Sequence, residues 1–391
     1  MRVAFYAPMK HPGHRVPSGD REIARLLIRA LGSAGHDVEL ASRFSSRDGA
    51  GTAARQQRLR DLGGRLAERL IRRYRARPAA ARPTAWLTYH VYHKAPDWLG
   101  PAVADALAIP YIIVEASSAP KRAGGPWYIG YRGANAAIAR ADAVLSLNSN
   151  DMPCLTPLLA GTAVHRHMPP FVDAAAQAAL ADWRATIRST LAERCGWNPD
   201  IPWLLAVGMM RDGDKRQSYE ILTDAAAQLT DTPWHLLVAG GGPQRAAIVQ
   251  RLNNAAPGRV AFLGELTKES LALVYAASDI FVWPAINEAF GMALLEAQSA
   301  GLPVVAGDQR GVPDIVAPGI SGLLPPVGNA DAFARAVRRL LDDGALRRQY
   351  ADAARQRVRE SFDITGASRT LDATLHDAVT QARNRFARGA A

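Results

Sequence analysis

Short apolar runs of strand length alternate with helix-length segments along most of this chain, and that alternation restricts the fold more than any single residue does. Val3–Ala7, Val38–Ser42, Trp86–His90, Tyr111–Glu115 and Ala143–Asn148 read as strands, with helical patterns at Asp20–Leu31, Pro96–Leu107 and Gly133–Arg140. An Ala-rich helical stretch over 173–200, closed by Asn198-Pro199 and Pro202, interrupts the pattern. Strands then return at Trp203–Gly208, His235–Ala239, Val260–Leu263, Ile280–Trp283 and Pro303–Gly307. Helices are expected at Ser218–Leu229, Arg245–Asn253, Lys268–Ala277, Gly291–Ala300, Ala330–Asp342 and Leu346–Phe362. Strands joined through helices run parallel, and a parallel sheet needs helices on both faces. The expectation is an α/β protein of two Rossmann-like, doubly wound domains, 1–180 and 200–365, facing a central cleft. A length of 391 residues agrees with two domains.

Composition excludes several classes. Apolar residues make up 48% and charged residues 21%, which is globular chemistry rather than disorder. No apolar run approaches the roughly 20 residues that span a bilayer. Lys10, His11 and Pro12 interrupt the N-terminal apolar run, so it does not read as a signal peptide. Cys154 and Cys195 lack disulfide or metal spacing and are expected as buried free thiols in a reducing, cytoplasmic setting.

The net charge of +11 is concentrated in Arg55–Arg82, where Arg65, Arg69, Arg72, Arg73, Arg75 and Arg77 recur at near-helical spacing. This insertion-like segment reads as one or two basic helices. They either lie in peripheral contact with an anionic membrane face or stand solvated. Nucleic acid is not an expected partner, because no aromatic residues interleave with the arginines to stack on bases.

The loop Pro8–Asp20 has no G-x-G-x-x-G, and the second strand ends at Ser42-Arg43 rather than at a ribose-binding acid. Walker-A, zincin and G-x-S-x-G sequences are absent. The informative stretch is Trp283–Glu296: a strand end, Glu288, Gly291, then an apolar helix carrying Glu296. A helix N-terminus offers unpaired N–H groups to a pyrophosphate. Glu288 could accept from sugar hydroxyls and Glu296 could reach a ribose. Arg211 and Lys215, just past another strand end, supply positive charge where a departing diphosphate gains negative charge.

With these residues in order, the chain resembles the GT4-type glycosyltransferases of the GT-B superfamily from about Trp203 to Leu340. The likeness includes Arg211 with Lys215, the Gly240–Pro243 turn, Val260-Ala-Phe-Leu-Gly264 and Ser278-Asp-Ile-Phe-Val-Trp-Pro284. The Glu288/Glu296 pair, Ala300-Gly-Leu-Pro-Val-Val305, Gly311-Val-Pro-Asp-Ile-Val316 and Gly319-Ile-Ser-Gly-Leu-Leu-Pro325 complete it. The resemblance implies a GT-B fold whose last helix, 366–391, crosses back to the first domain. It implies that Arg211 and Lys215 neutralise the donor diphosphate, that Glu288 orients the sugar and that Glu296 holds the ribose. The backbone of Phe290, Gly291, Met292 and Ala293 would serve the sugar and phosphate, and Leu266 the base. It further implies retention of configuration with no metal and no cofactor besides the nucleotide sugar.

In the first half the likeness is loose. Gly19, within Ser18-Gly19-Asp20, stands where the family's glycine loop approaches the donor phosphate, and His90 ends a strand on the same side. Glu115-Ala-Ser117 stands where many members have a cleft histidine, and Asp314 where a glutamate is usual. The function implied is transfer of a sugar from a UDP- or GDP-sugar to a hydroxyl acceptor, which is a glycan, a lipid-linked molecule or a small molecule; the Arg-rich segment points toward a lipid-linked or otherwise anionic one. The alternatives are a non-catalytic nucleotide-sugar-binding protein and a sugar-nucleotide epimerase.

Overall fold

The computed structural model describes residues 1–389 apart from Pro17, Thr162 and Phe290, with side chains described through Phe386. Two compact units result, Met1–Pro170 with Ile364–Ala391, and Phe171–Asp363. The chain leaves the first unit at Pro170, earlier than the boundary between 180 and 200 read from composition. The Ala-rich stretch belongs to the second unit because Arg184 and Arg188 anchor it there. Their guanidinium groups meet Asp279 at 2.6 and 2.9 Å and also donate to the Ser278 and Ala277 carbonyls.

The first unit runs β1 (Arg2–Tyr6), α1 (Gly19–Ser33), β2 (Asp37–Leu40), α2 (Ala53–Arg75), β3 (Ala85–Val91), α3 (Gly100–Leu107), β4 (Tyr111–Ala116), α4 (Tyr128–Arg140), β5 (Ala143–Ser146), α5 (Met152–Leu155) and β6 (Val164–His167). Its strands are all parallel, in the order β2-β1-β3-β4-β5-β6. Tyr6, Trp86 and Tyr111 share a buried cluster with Ala67, Leu70 and Tyr74 of α2 and Ile138 of α4. A wholly buried Trp removes roughly 200 Å² from water, worth about 5 kcal/mol.

One acid is built into that core. Asp97 Oδ2 accepts from Thr88 Oγ1 at 2.6 Å and Tyr111 Oη at 2.9 Å, while Oδ1 accepts from the N–H groups of Leu99 and Gly100. This turn occupies 96–99, so α3 starts at Gly100 rather than at the expected Pro96.

The second unit runs α6 (Ala174–Ala178), α7 (Arg184–Cys195), β7 (Trp203–Val207), α8 (Asp214–Ala227), β8 (His235–Ala239), α9 (Arg245–Ala255), β9 (Val260–Gly264), α10 (Lys268–Ala277), β10 (Ile280–Trp283), α11 (Met292–Ser299), β11 (Val304–Ala306), α12 (Val312–Ile315), β12 (Gly322–Leu323), α13 (Ala330–Asp342) and α14 (Gly344–Ser361). Its order is β12-β11-β10-β7-β8-β9, again all parallel.

The last helix, α15 (Ile364–Gly389), belongs to the first unit. It packs on α1 and across β4, β5 and β6. Ser368 Oγ donates to the Ala30 carbonyl at 2.8 Å, Arg166 pairs with Asp377 at 2.6 Å, and Arg385 pairs with Asp142. The two cysteines are free but not buried as expected: Cys154 is exposed and Cys195 half-buried. In their helices Leu155 and Ala192 take the inward positions. No helix among the described residues is long and apolar enough to cross a membrane.

Candidate functional site

In the second sheet the order reverses between β7 and β10, so the loops leaving these neighbours part to opposite faces. A crevice opens at such a point, beyond the carboxyl ends of the strands. Arg211 and Lys215 follow β7, and Glu288 to Glu296 follow β10. The loops after β7 and β8 are bound backbone to backbone: Gly208 N–H donates to the Ala239 carbonyl at 3.0 Å and Met210 N–H to Gly241 at 2.8 Å. A Cβ on Gly240 would stand 2.0 Å from the Gly208 oxygen, and one on Gly242 would stand 2.3 Å from the Met210 oxygen. Side chains are therefore excluded from this floor.

Lys215, in the first turn of α8, pairs with Glu288 Oε2, both side chains being about one-fifth exposed (18% and 20%). Its ammonium stands 5.2 Å from the Trp283 ring centre, and Trp283 Nε1 reaches the same carboxylate oxygen at 3.4 Å. The loop carrying Glu288 is fixed from both sides. Ile286 N–H donates to Ser218 Oγ at 3.1 Å, Asn287 Nδ2 to Asp214 at 2.8 Å, and Gln309 Nε2 to the Ala285 carbonyl. Ala285 and Asn287 take left-handed backbone angles, φ 58° and 53°. Such strain persists where the surroundings over-determine it.

Gly291, at φ 76° and ψ 83°, opens α11 with no side-chain cap. Met292 and Ala293 form the first turn of that helix, where N–H groups and the dipole favour an anion. One turn on, Glu296 Oε2 accepts from the buried Tyr275 hydroxyl at 3.0 Å. Burial and the Glu296 charge push the Tyr275 phenol well above its usual range, so it remains a donor. Arg211 is exposed and makes no hydrogen bond or ion pair among the described residues. Leu266 lies half-buried between β9 and α10. Phe290 is outside the described residues.

The first sheet reverses between β1 and β3. Gly19 and Asp20 open α1 after β1, and His90 lies near the end of β3 with φ 64°. His90 Nδ1 and Asp20 Oδ1 are 2.9 Å apart. Burial opposes charge on this imidazole, but the Glu115 and Asp20 carboxylates outweigh it and push it up to about 9. His90 is thus a held cation at neutral pH rather than a free base. Glu115, at φ 61° on β4, is driven upward by burial, and its Oε2 has no hydrogen-bond partner among the described residues. Among those residues no group of three or more His, Cys, Asp or Glu is placed to hold a metal ion.

The sequence reading missed Tyr275 behind Glu296, the Trp283 ring beneath Lys215, and Asp20 as the partner of His90. Tyr275 sits on the buried face of an ordinary amphipathic helix and carries no local signal. The other two pairs join residues more than 65 positions apart.

Comparison with known proteins adds to this geometry. The family described as "Glycosyl transferases group 1" matches residues 204–357. The D-inositol 3-phosphate glycosyltransferase of Corynebacterium diphtheriae is 32% identical over 183 residues, 44% of this chain and 43% of that protein. The N-acetyl-alpha-D-glucosaminyl L-malate synthase of Bacillus anthracis is 29% identical over 166 residues, 42% of this chain and 43% of that one. The chain therefore spans about two-fifths of the length of these curated relatives. Among solved structures, sucrose-phosphate synthase from Thermosynechococcus elongatus superposes with a TM-score of 0.69 at 22% identity, covering 99% of both chains. Anabaena HepE in complex with UDP gives 0.70 at 17% identity, covering 96% of this chain and all (100%) of that one. These likenesses establish the fold alone, the GT-B fold.

Proposed function

We propose that this chain, whose residues 204–357 match the family described as glycosyl transferases group 1, transfers a sugar from a UDP- or GDP-sugar to a hydroxyl acceptor with retention of configuration. The observation that carries the reading is the Lys215–Glu288 pair at the β7/β10 reversal, next to the N-terminus of α11. Glu288 accepts from donor-sugar hydroxyls, and Lys215 holds it in place until the diphosphate arrives. Glu296, oriented by Tyr275, accepts from the ribose hydroxyls. The backbone of Gly291, Met292 and Ala293 faces phosphate and sugar, and Leu266 meets the base. The solved UDP and UDP-glucose complexes of HepE support a uridine donor.

In the step itself the bond from the anomeric carbon to the diphosphate oxygen breaks and its electron pair stays with the nucleotide. Arg211, Lys215 and the helix N-terminus stabilise that growing charge, each such fixed group being worth roughly 3 kcal/mol in a water-poor site. The acceptor oxygen bonds to the anomeric carbon from the face the nucleotide leaves, and its proton passes to the departing phosphate oxygen. These groups supply the positive charge without a metal. His90, charged and held by Asp20, donates a hydrogen bond on the acceptor-binding side. The exposed basic face of α2 contacts an anionic membrane surface, which suits a lipid-linked acceptor.

A thermal-shift screen against UDP, GDP, ADP and their sugar conjugates, with chelator present, tests the donor site. UDP or GDP should raise the melting temperature of the wild type. Glu296→Ala should abolish that rise, and Tyr275→Phe should reduce it. An unshifted wild type, or a rise retained by Glu296→Ala, removes the donor site from where we place it.

A further inference from the structure

A second constellation lies at the carboxyl edge of the first sheet, where β3 and β4 end. After β3, a turn closed by Ala95 N–H to the Tyr92 carbonyl at 2.9 Å presents His93 and Lys94. After β4, a single helical turn, Pro120–Arg122, presents Lys121 and Arg122. Trp127 stands among them: Lys94 Nζ is 4.9 Å and Arg122 Cζ 5.0 Å from its ring centre, and the His93 ring meets it edge-on at 5.9 Å. The ring is fixed, since Trp127 Nε1 donates to the Asp48 carbonyl at 3.0 Å and Asp48 N–H donates to the Lys94 carbonyl at 2.8 Å.

Lys94 and Arg122 meet here, Lys121 precedes Arg122 in the same turn, and none of the three has a carboxylate partner among the described residues. The acid of this loop, Asp48, is occupied by the N–H groups of Ala50 and Thr52 and by Arg55. Arg122 Nε and both His93 ring nitrogens are buried with no hydrogen-bond partner among the described residues. Burial, then the charges of Arg122, Lys94 and Lys121, hold His93 down at about 4. A buried polar group left unpaired costs about 1–3 kcal/mol, so Arg122 Nε and the protonated nitrogen of His93 each favour an incoming acceptor oxygen.

We propose that Lys94, Lys121, Arg122 and His93, set around Trp127, bind a phosphate group carried by the acceptor. A phosphate monoester brings a charge of about −1.5 to −2 and three strong acceptor oxygens. The Arg122 fork and the two ammonium groups match it, and the Trp127 face takes the apolar side of the attached ring. Only the word acceptor rests on the transfer reading; the anion site itself stands apart from it.

Calorimetric titration of the full chain tests this with three probes: glucose 6-phosphate, glucuronate, and vesicles containing phosphatidate. The wild type should bind glucose 6-phosphate or the phosphatidate vesicles saturably, which also separates a soluble from a lipid source. Lys94→Gln/Arg122→Gln should weaken that binding at least tenfold while keeping the wild-type melting temperature and circular dichroism spectrum, which shows the variant folded. Binding of neither phosphate probe, binding retained by the variant, or tighter binding of glucuronate overturns the site. If phosphate binding holds while UDP fails to shift the wild type, the transfer reading falls and the anion site remains.

Discussion

His90 and Lys215 are both cations set against a carboxylate at a point where a parallel sheet reverses its strand order, and their surroundings use them differently. Lys215 lies over the Trp283 ring and shares Glu288 with the indole N–H, so the pair is held as one oriented unit. His90 is enclosed by Asp20, Glu115 and Tyr92, whose ring centre is 4.9 Å from its own. Its folded pKa, about 9, lies above the ordinary 6.5. The stability contributed by its protonation is therefore complete below about pH 6.5 and is lost as pH rises through about 9. Titration of the His90 ring by NMR should show a midpoint near 9, moving toward 6.5 in Asp20→Asn. A wild-type midpoint at or below 6.5 contradicts the held cation, and with it the donor role given to this side chain.

At the scale of elements, α2 shows how a strongly basic segment becomes a defined face. Its buried positions are Gln56, Gly63, Ala67, Leu70 and Tyr74, spaced by seven, four, three and four residues along one stripe. That stripe is covered by the core, and Arg65, Arg69 and Arg72 are left exposed. With no apolar face to insert, the proposed contact with a membrane is electrostatic, worth about 1 kcal/mol per arginine near an anionic surface and screened by salt. Cosedimentation with phosphatidylserine vesicles at low salt should fall more than tenfold in Arg65→Gln/Arg69→Gln/Arg72→Gln. Equal cosedimentation of the two proteins removes α2 as the contact.

At the scale of the whole molecule, the repeated strand–helix alternation was enough to indicate two doubly wound sheets, because parallel strands buried on both faces leave continuous apolar runs. Element ends were less legible. The Asp97 turn delays α3, and Gly213, at φ 80°, turns the chain early enough for α8 to begin at Asp214 and place Lys215 in its first turn. β6 and β12 carry too little apolar sequence to announce themselves: Val164–His167 has one aliphatic residue, and Gly322–Leu323 is a two-residue strand. Glu288 and Glu296 could be picked out because a loop and a helix start are local features. The contacts that support them, Lys215 and Trp283 on Glu288 and Tyr275 on Glu296, are tertiary.

The central claim is that the Lys215–Glu288 unit serves departure of a nucleotide, and the most direct measurement is nucleoside-diphosphate release from the donor the protein binds, in the presence of an acceptor pool. Wild-type protein should release nucleotide and yield a product with the donor's anomeric configuration. Lys215→Met should still bind the donor but release nucleotide on the order of a hundredfold more slowly. Donor binding without release by the wild type, or undiminished release by Lys215→Met, contradicts the account.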